Sequence, residues 1–195
     1  MTPTILVRQD DTNATQSCLE ALGRGGTIIF PTETCYGLGA DATNARAVER
    51  VYTLKGRPQE KHIAIACSSL EMARKYIRVN ADVRALAHAF LPGPLTIVSQ
   101  GQSFRIPDHR FTLALISQFG KPLTATSANT SGAVSLYAIA DLIHHFDGLV
   151  DVIVDAGDLL SRQASTVYDV DTKRVLREGP ISLAQLRRAL NAAQQ

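Results

Sequence analysis

Apolar residues fall along this chain in short runs, separated by stretches in which they return every three or four positions. That is the pattern of strands alternating with amphipathic helices. Ile5–Val7 and Thr27–Phe30 read as strands on either side of a helix from about Ala14 to Leu22. Asn44 can cap a helix that places Val48, Val51 and Tyr52 on one face and ends near Leu54, before Gly56 and Pro58. Ile63–Cys67 is a third strand, and helices follow Ser69 and Asn80. Thr96–Ser99, Phe104–Ile106 and Leu123–Thr126 are further strands, after which Ser135 opens a helix carrying Ile139, Leu142, Ile143 and Phe146. The tail adds strands at Val152–Asp155, Thr166–Val170 and Arg174–Arg177 and a helix from about Ser182 to Ala193. Late strands so close together, with no helix between them, require a mixed sheet.

No repeat, low-complexity stretch or linker divides the sequence, so one domain over residues 1–195 is expected. An apolar fraction of 45% and a charged fraction of 19% belong to an ordinary globular chain. No apolar run reaches a membrane-spanning length and no secretory leader opens the chain, so the expected location is the cytoplasm, without membrane attachment. Cys18, Cys35 and Cys67 form no CxxC pair or metal-ligand spacing, as expected of free thiols in a reducing compartment. A net charge of +2 gives no global field for nucleic acid. The bases are nevertheless dense between Arg46 and Arg84, where Lys55, Arg57 and Lys61 share one Gly/Pro-containing loop and Arg74, Lys75 and Arg78 follow.

There is no Walker loop, no full GxGxxG, no HExxH and no kinase signature, so any nucleotide site is built another way. Four segments carry candidate chemistry. Pro31 to Gly39, PTETCYGLG, puts short polar side chains at a strand exit, where Pro31 stops the ladder and Gly37 and Gly39 permit close approach or a sharp turn. Lys55 and Arg57, two apart on an extended segment, would face the same way and clamp a polyanion. PLTATSANTSG runs a strand into Ser127, Asn129 and Ser131, neutral donors and acceptors suited to phosphate, ribose and purine edges. Ser165-Thr166-Val167 and Arg177-Glu178-Gly179 close the set. Each has a plain structural reading when taken alone: a polar turn, a cation satisfying a helix C-terminus, a capping turn and an edge hairpin.

Taken in order, PTETxYGLG, KxRP, PGPLT, RIPDH, SANxSG, STV and REG resemble the YrdC-type domain of the threonylcarbamoyl-AMP synthase family, from about Thr15 to Leu190. That resemblance implies an α+β fold with a twisted mixed β-sheet, flanked by helices around a basic concave cavity. It implies a nucleotidyltransferase that makes threonylcarbamoyl-adenylate and pyrophosphate from L-threonine, bicarbonate and ATP, magnesium accompanying the triphosphate. A threonylcarbamoyl transferase complex would then modify the adenosine beside the tRNA anticodon, with weak contact to tRNA a further expectation. The family's tetrad of two cations and SxN maps onto Lys55, Arg57, Ser127 and Asn129. By the same analogy Lys55, Arg57, Ser127, Asn129, Ser135 and Arg177 hold ATP, with Lys55 and Arg57 catalytic, and Thr34, Arg105 and Ser165 hold threonine. No dedicated metal ligands are expected.

The sequence also departs from the family. Lys61-His62-Ile63 stands where relatives read KPL, and His62 is read as structural. The segment from Ile97 to Phe104 is short, which cuts down a wall or lid of the cavity. Cys35 is a packing residue. Two other classes compete: an RNA-binding or ribosome-maturation factor using the basic cavity, and a carbamoyl-adenylate enzyme on the same domain. The first lacks basic–aromatic interleaving, since Trp is absent and aromatics are 6% of residues. The second requires cysteine clusters that three scattered cysteines cannot supply.

Overall fold

The computed structural model describes residues 3–193. Ten strands form one sheet in the order β1-β8-β2-β3-β7-β4-β6-β5-β9-β10. The strands are β1 (Ile5–Arg8), β2 (Thr27–Pro31), β3 (Tyr36–Ala40), β4 (Ala64–Ala66), β5 (Leu95–Ser99), β6 (Gln102–Arg105), β7 (Leu123–Ser127), β8 (Val152–Asp155), β9 (Thr166–Asp169) and β10 (Arg174–Arg177). The helices are α1 (Ala14–Gly23), α2 (Ala45–Lys55), α3 (Leu70–Ala73), α4 (Ala81–Phe90), α5 (Arg110–Phe119), α6 (Ile139–Phe146) and α7 (Leu183–Ala192). The sheet is mixed as expected: β1, β2 and β8 run parallel, while β3 pairs antiparallel with both β2 and β7.

β2 is buried along its whole length because helices cover both of its faces. Ile28 and Phe30 join Val152 and Val154 under α1 and α5, whereas Ile29 and Ile153 pack with α2 and α6 on the other side. The two-residue period of a strand produces this division. A third core gathers β5, β6 and β9 under α4 and α7. Helix starts follow the local chemistry: the side chains of Asn44, Ser69, Asn80 and Ser182 each accept a first-turn backbone N–H, with a full capping box at Ser182 and Gln185.

Several expectations change. β3 and α5 were not read from the pattern, and Pro31 does not stop the ladder but stands opposite Tyr36 as the last residue of β2. Gly37 and Gly39 make no turn; they are strand residues against the Phe30 ring, which an added Cβ would meet at 2.9 and 2.5 Å. Ser135 does not open α6. That helix begins at Ile139, whose N–H is taken by the Asp158 carboxylate at 3.0 Å, so the cap comes from another segment. The short hairpin between β5 and β6 turns at Gln100 and Gly101, both with positive φ (51° and 75°), the conformation of a tight two-residue connection.

Candidate active site

Eight strands that follow one another in the sheet, from β2 through β3, β7, β4, β6, β5 and β9 to β10, line a cleft of about 320 Å³. All nine residues expected at the site line it: Thr34, Lys55, Arg57, Arg105, Ser127, Asn129, Ser135, Ser165 and Arg177. Four of its lining residues are Lys or Arg and none is Asp or Glu.

Lys55 is the last residue of α2, not part of an extended segment. Gly56 adopts a left-handed conformation, and the amides of Gly56 and Arg57 return to the carbonyls of Thr53 and Tyr52, both at 3.1 Å. This reversal brings both cations to the cleft, where alternation along a strand would have done so by a different geometry. Lys55 is only 2% exposed. Its ammonium donates to the carbonyls of Ser127 (2.6 Å) and Asn129 (2.7 Å) and to Asn129 Oδ1 (3.1 Å), one acceptor for each hydrogen. Ser127 Oγ also donates to Asn129 Oδ1, and the Ser131 N–H returns to the Lys55 carbonyl at 2.8 Å. The SANTSG segment is thus fastened to the end of α2. Arg57 shapes the next loop by donating to the carbonyls of Lys61 (2.8 Å) and His62 (3.1 Å).

Burial, with the Arg57 charge beside it, pushes Lys55 down from 10.5 to about 8, so it is protonated at neutral pH. Rising pH should therefore lower kcat/KM with an alkaline limb near 8, and the limb for kcat should lie higher because bound triphosphate favours the ammonium. Between about 8 and 10.5 the unfolded chain holds this proton more firmly than the folded one. This group's contribution to stability consequently rises with pH across that window. A pH–rate series with parallel unfolding midpoints checks the point: activity lost in step with global unfolding would count against it.

Beside the cleft, Glu33 forms a shielded ion pair with the lining residue Arg105 and accepts the Asp108 N–H at 3.1 Å. Arg105 also reaches Thr34 Oγ1 at 3.4 Å. Ser165 Oγ meets Thr96 Oγ1 at 2.9 Å, and Arg177 donates twice to the Ser165 carbonyl (3.0 and 2.8 Å) and once to its hydroxyl (2.9 Å). Gly179 makes this contact possible, since a Cβ there would collide with the backbone of Ala164, Ser165 and Thr166. Burial raises the Cys35 thiol, which makes it a packing group and a poor nucleophile.

The geometry adds groups that the sequence did not single out. Thr96 acts through Ser165, and the segment from Ala156 to Ser165 must cross from β8, second in the sheet, to β9, ninth. It is tied down on the way by Tyr36 Oη to Gly157, Leu159 to Tyr137 and Arg162 to the Glu33 carbonyl. Arg105 Nε and His109 Nδ1 are buried without a hydrogen-bond partner among the described residues, and burial lowers the His109 pKa. In the short 97–104 segment Ile97 is buried in the core and Ser103 lines the cleft, whereas Gln100, Gly101 and Gln102 line a second cavity. His62 borders both. No group of three or more His, Cys, Asp or Glu that could hold a metal ion exists among the described residues, and none of their helices is long and apolar enough to cross a membrane.

The chain is similar in sequence and fold to known proteins. Residues 20–179 match the Sua5/YciO/YrdC family model, which carries the description telomere recombination. A threonylcarbamoyl-AMP synthase of Pyrococcus abyssi is 34% identical over 85% of this chain and 54% of its own length. A threonylcarbamoyl-AMP synthase of Vibrio vulnificus is 30% identical over 84% of this chain and 97% of its own. The crystal structure of P. abyssi Sua5 complexed with L-threonine superposes with a TM-score of 0.87 at 31% identity, covering 96% of this chain and 61% of that one. This chain therefore spans about half the length of the archaeal relative and nearly all of the bacterial one.

Proposed function

The chain belongs to the Sua5/YciO/YrdC family, and on that premise we propose that it is a threonylcarbamoyl-AMP synthase, a nucleotidyltransferase acting on L-threonine, bicarbonate and ATP. The observation that carries this reading is the convergence of all nine expected residues on one cleft lined by four cations and no acid. Thr34 and Arg105, bonded to each other with Arg105 paired to Glu33, and Ser165, bonded to Thr96 and Arg177, suit an amino acid's carboxylate and hydroxyl. Lys55, Arg57, Ser127, Asn129 and Ser135 form the triphosphate end, and Arg177, bonded to Ser165, joins the two.

Threonine and bicarbonate give the N-carboxylate with loss of water and one proton. A carbamate oxygen then attacks the α-phosphorus, the bond to the α–β bridging oxygen breaks, and pyrophosphate leaves. Charge grows on phosphate oxygens, so fixed cations and the exclusion of water do most of the catalytic work. Magnesium would arrive bound to the triphosphate as part of the substrate, since the cleft lining offers hydroxyls but no carboxylate to coordinate it. The adenylate would pass to a threonylcarbamoyl transferase that modifies tRNA, in a cytoplasm that suits three free cysteines. The alternative of an RNA-binding factor using this cleft has little to recommend it, because among the described residues the aromatic rings in the lining are Phe30, packed on Gly37 and Gly39, and His62.

Purified protein should release pyrophosphate from ATP only when threonine and bicarbonate are both present. Isotope labels from each should appear together in the adenylate by mass spectrometry. An equal rate in rigorously bicarbonate-free buffer would overturn the assignment.

A further inference from the structure

A second cavity, of about 590 Å³, lies on the other side of β4. Ala64 and Ala66 face the cleft whereas Ile65 faces this cavity, as alternation along a strand requires. Ala, Val, Ile and Pro side chains supply its apolar lining, and Tyr52, Tyr76, His62, Gln100 and Gln102 are among its polar residues, with Ser103 and Thr124. No Lys, Arg, Asp or Glu lines it. The neighbours of these residues in the chain are different. Lys61 precedes His62, while Lys75 and Arg78 flank Tyr76 and Ile77, and all three cations are exposed. None of the three forms an ion pair among the described residues. Of the acids nearby, Asp41 pairs with Lys121 and Glu71 with Arg74, while Asp171 accepts the Gln100 N–H at 2.5 Å and Glu60 is exposed. The dense basic stretch is thus only partly absorbed by the catalytic cleft.

A carboxylate or phosphate inside this cavity would find no cation in its walls, whereas the exposed amides of Gln100 and Gln102 offer hydrogen-bonding partners at its rim. A neutral ring with hydrogen-bonding edges matches that lining. Tyrosine rings offer stacking faces, and glutamine amides match the donor–acceptor edge of adenine. We propose that this cavity is a second nucleotide site, holding an adenine-type base against Tyr52 and Tyr76 with its phosphate on Lys61, Lys75 and Arg78. The nucleotide is either free or one unit of a single-stranded RNA. Occupancy can reach the catalytic cleft because His62 and Ser103 border both cavities and Arg57 holds the His62 carbonyl. The proposal is independent of the chemistry assigned to the cleft.

Calorimetric titration with AMP should find two molecules per chain, of which a non-hydrolysable ATP analogue together with threonine displaces only one. With the cleft so occupied, 8-azido-AMP should crosslink to peptides containing Tyr52 or Tyr76. Tyr76→Ala should weaken the second site about 5- to 150-fold, the range for loss of one stacking ring, while pyrophosphate release stays near the wild-type rate. A second variant separates the phosphate contacts from the ring: K75E/R78E, also at exposed positions, should weaken the same site without touching the core. A short single-stranded RNA distinguishes the sources. Tighter binding than AMP, with a log–log salt slope of about −2 for three phosphate contacts, identifies a strand, and equal binding identifies a free nucleotide. A single AMP per chain, fully displaced from the cleft, with no crosslink to Tyr52 or Tyr76, would overturn the proposal. So would unchanged second-site affinity in both variants.

Discussion

Lys55→Ala should lower pyrophosphate release by about 30- to 1000-fold, the loss of a phosphate-stabilising cation worth roughly 2–4 kcal/mol in the transition state. It should also destabilise the fold. The ammonium is buried and serves three oxygens of the SANTSG segment, and each buried acceptor left without a partner costs about 1–3 kcal/mol. With partial relaxation a net loss of about 2–4 kcal/mol is expected, seen as a fall in unfolding midpoint of about 5–15 °C. Arg57→Ala supplies the contrast. Its guanidinium is partly exposed and bonds only the carbonyls of its own loop, so a similar loss of rate should come with a stability change within about 1 kcal/mol. Thermal melts and initial rates on the two variants separate the roles. Equal stability of both variants would show that Lys55 is not the clasp between α2 and the loop.

Arg177→Ala should be the more damaging change to catalysis in a protein that still folds. Three hydrogen bonds tie this guanidinium to Ser165, the hydroxyl of which meets Thr96. Its removal takes a cation from the triphosphate end and frees Ser165 at the amino-acid end, so KM for threonine should rise together with a fall in kcat. A combined loss in kcat/KM of about 100- to 1000-fold follows from one charge-assisted phosphate contact plus a loosened substrate partner. Arg177→Lys should recover little, because a single ammonium cannot hold the Ser165 carbonyl and hydroxyl with a planar fork. Steady-state kinetics with threonine and ATP varied separately check both parts. A change confined to KM for ATP would remove Arg177 from the amino-acid end.

The second prediction rests on a contact between residues 12 apart in the chain, and the first on contacts 72 and 74 apart. That difference bears on what could be read in advance. Helix starts were legible because Asn44, Ser69, Asn80 and Ser182 cap through their own neighbours, within three residues. The start of α6 was not, since its first N–H is taken by Asp158, 19 residues away. β3 was hidden because Gly37 and Gly39 carry no apolar pattern, and their place in a strand is set by the Phe30 ring lying across them.

By itself the sequence determined the alternation of strands and helices, the mixed character of the sheet, and the chemical types gathered in PTET, KxR, SAN and STV. These are properties of neighbouring residues: periodicity, capping and the donors and acceptors each side chain carries. Tertiary structure decided how those types meet. It made Lys55 a buried clasp as well as a charge, because the left-handed turn at Gly56 and the pairing of β3 with β7 bring the end of α2 to Ser127 and Asn129. It placed the short β5–β6 turn on a second cavity, because β4 separates the two faces of the sheet. Burial and long-range hydrogen bonding depend on what the rest of the chain supplies, and no local pattern carries that information.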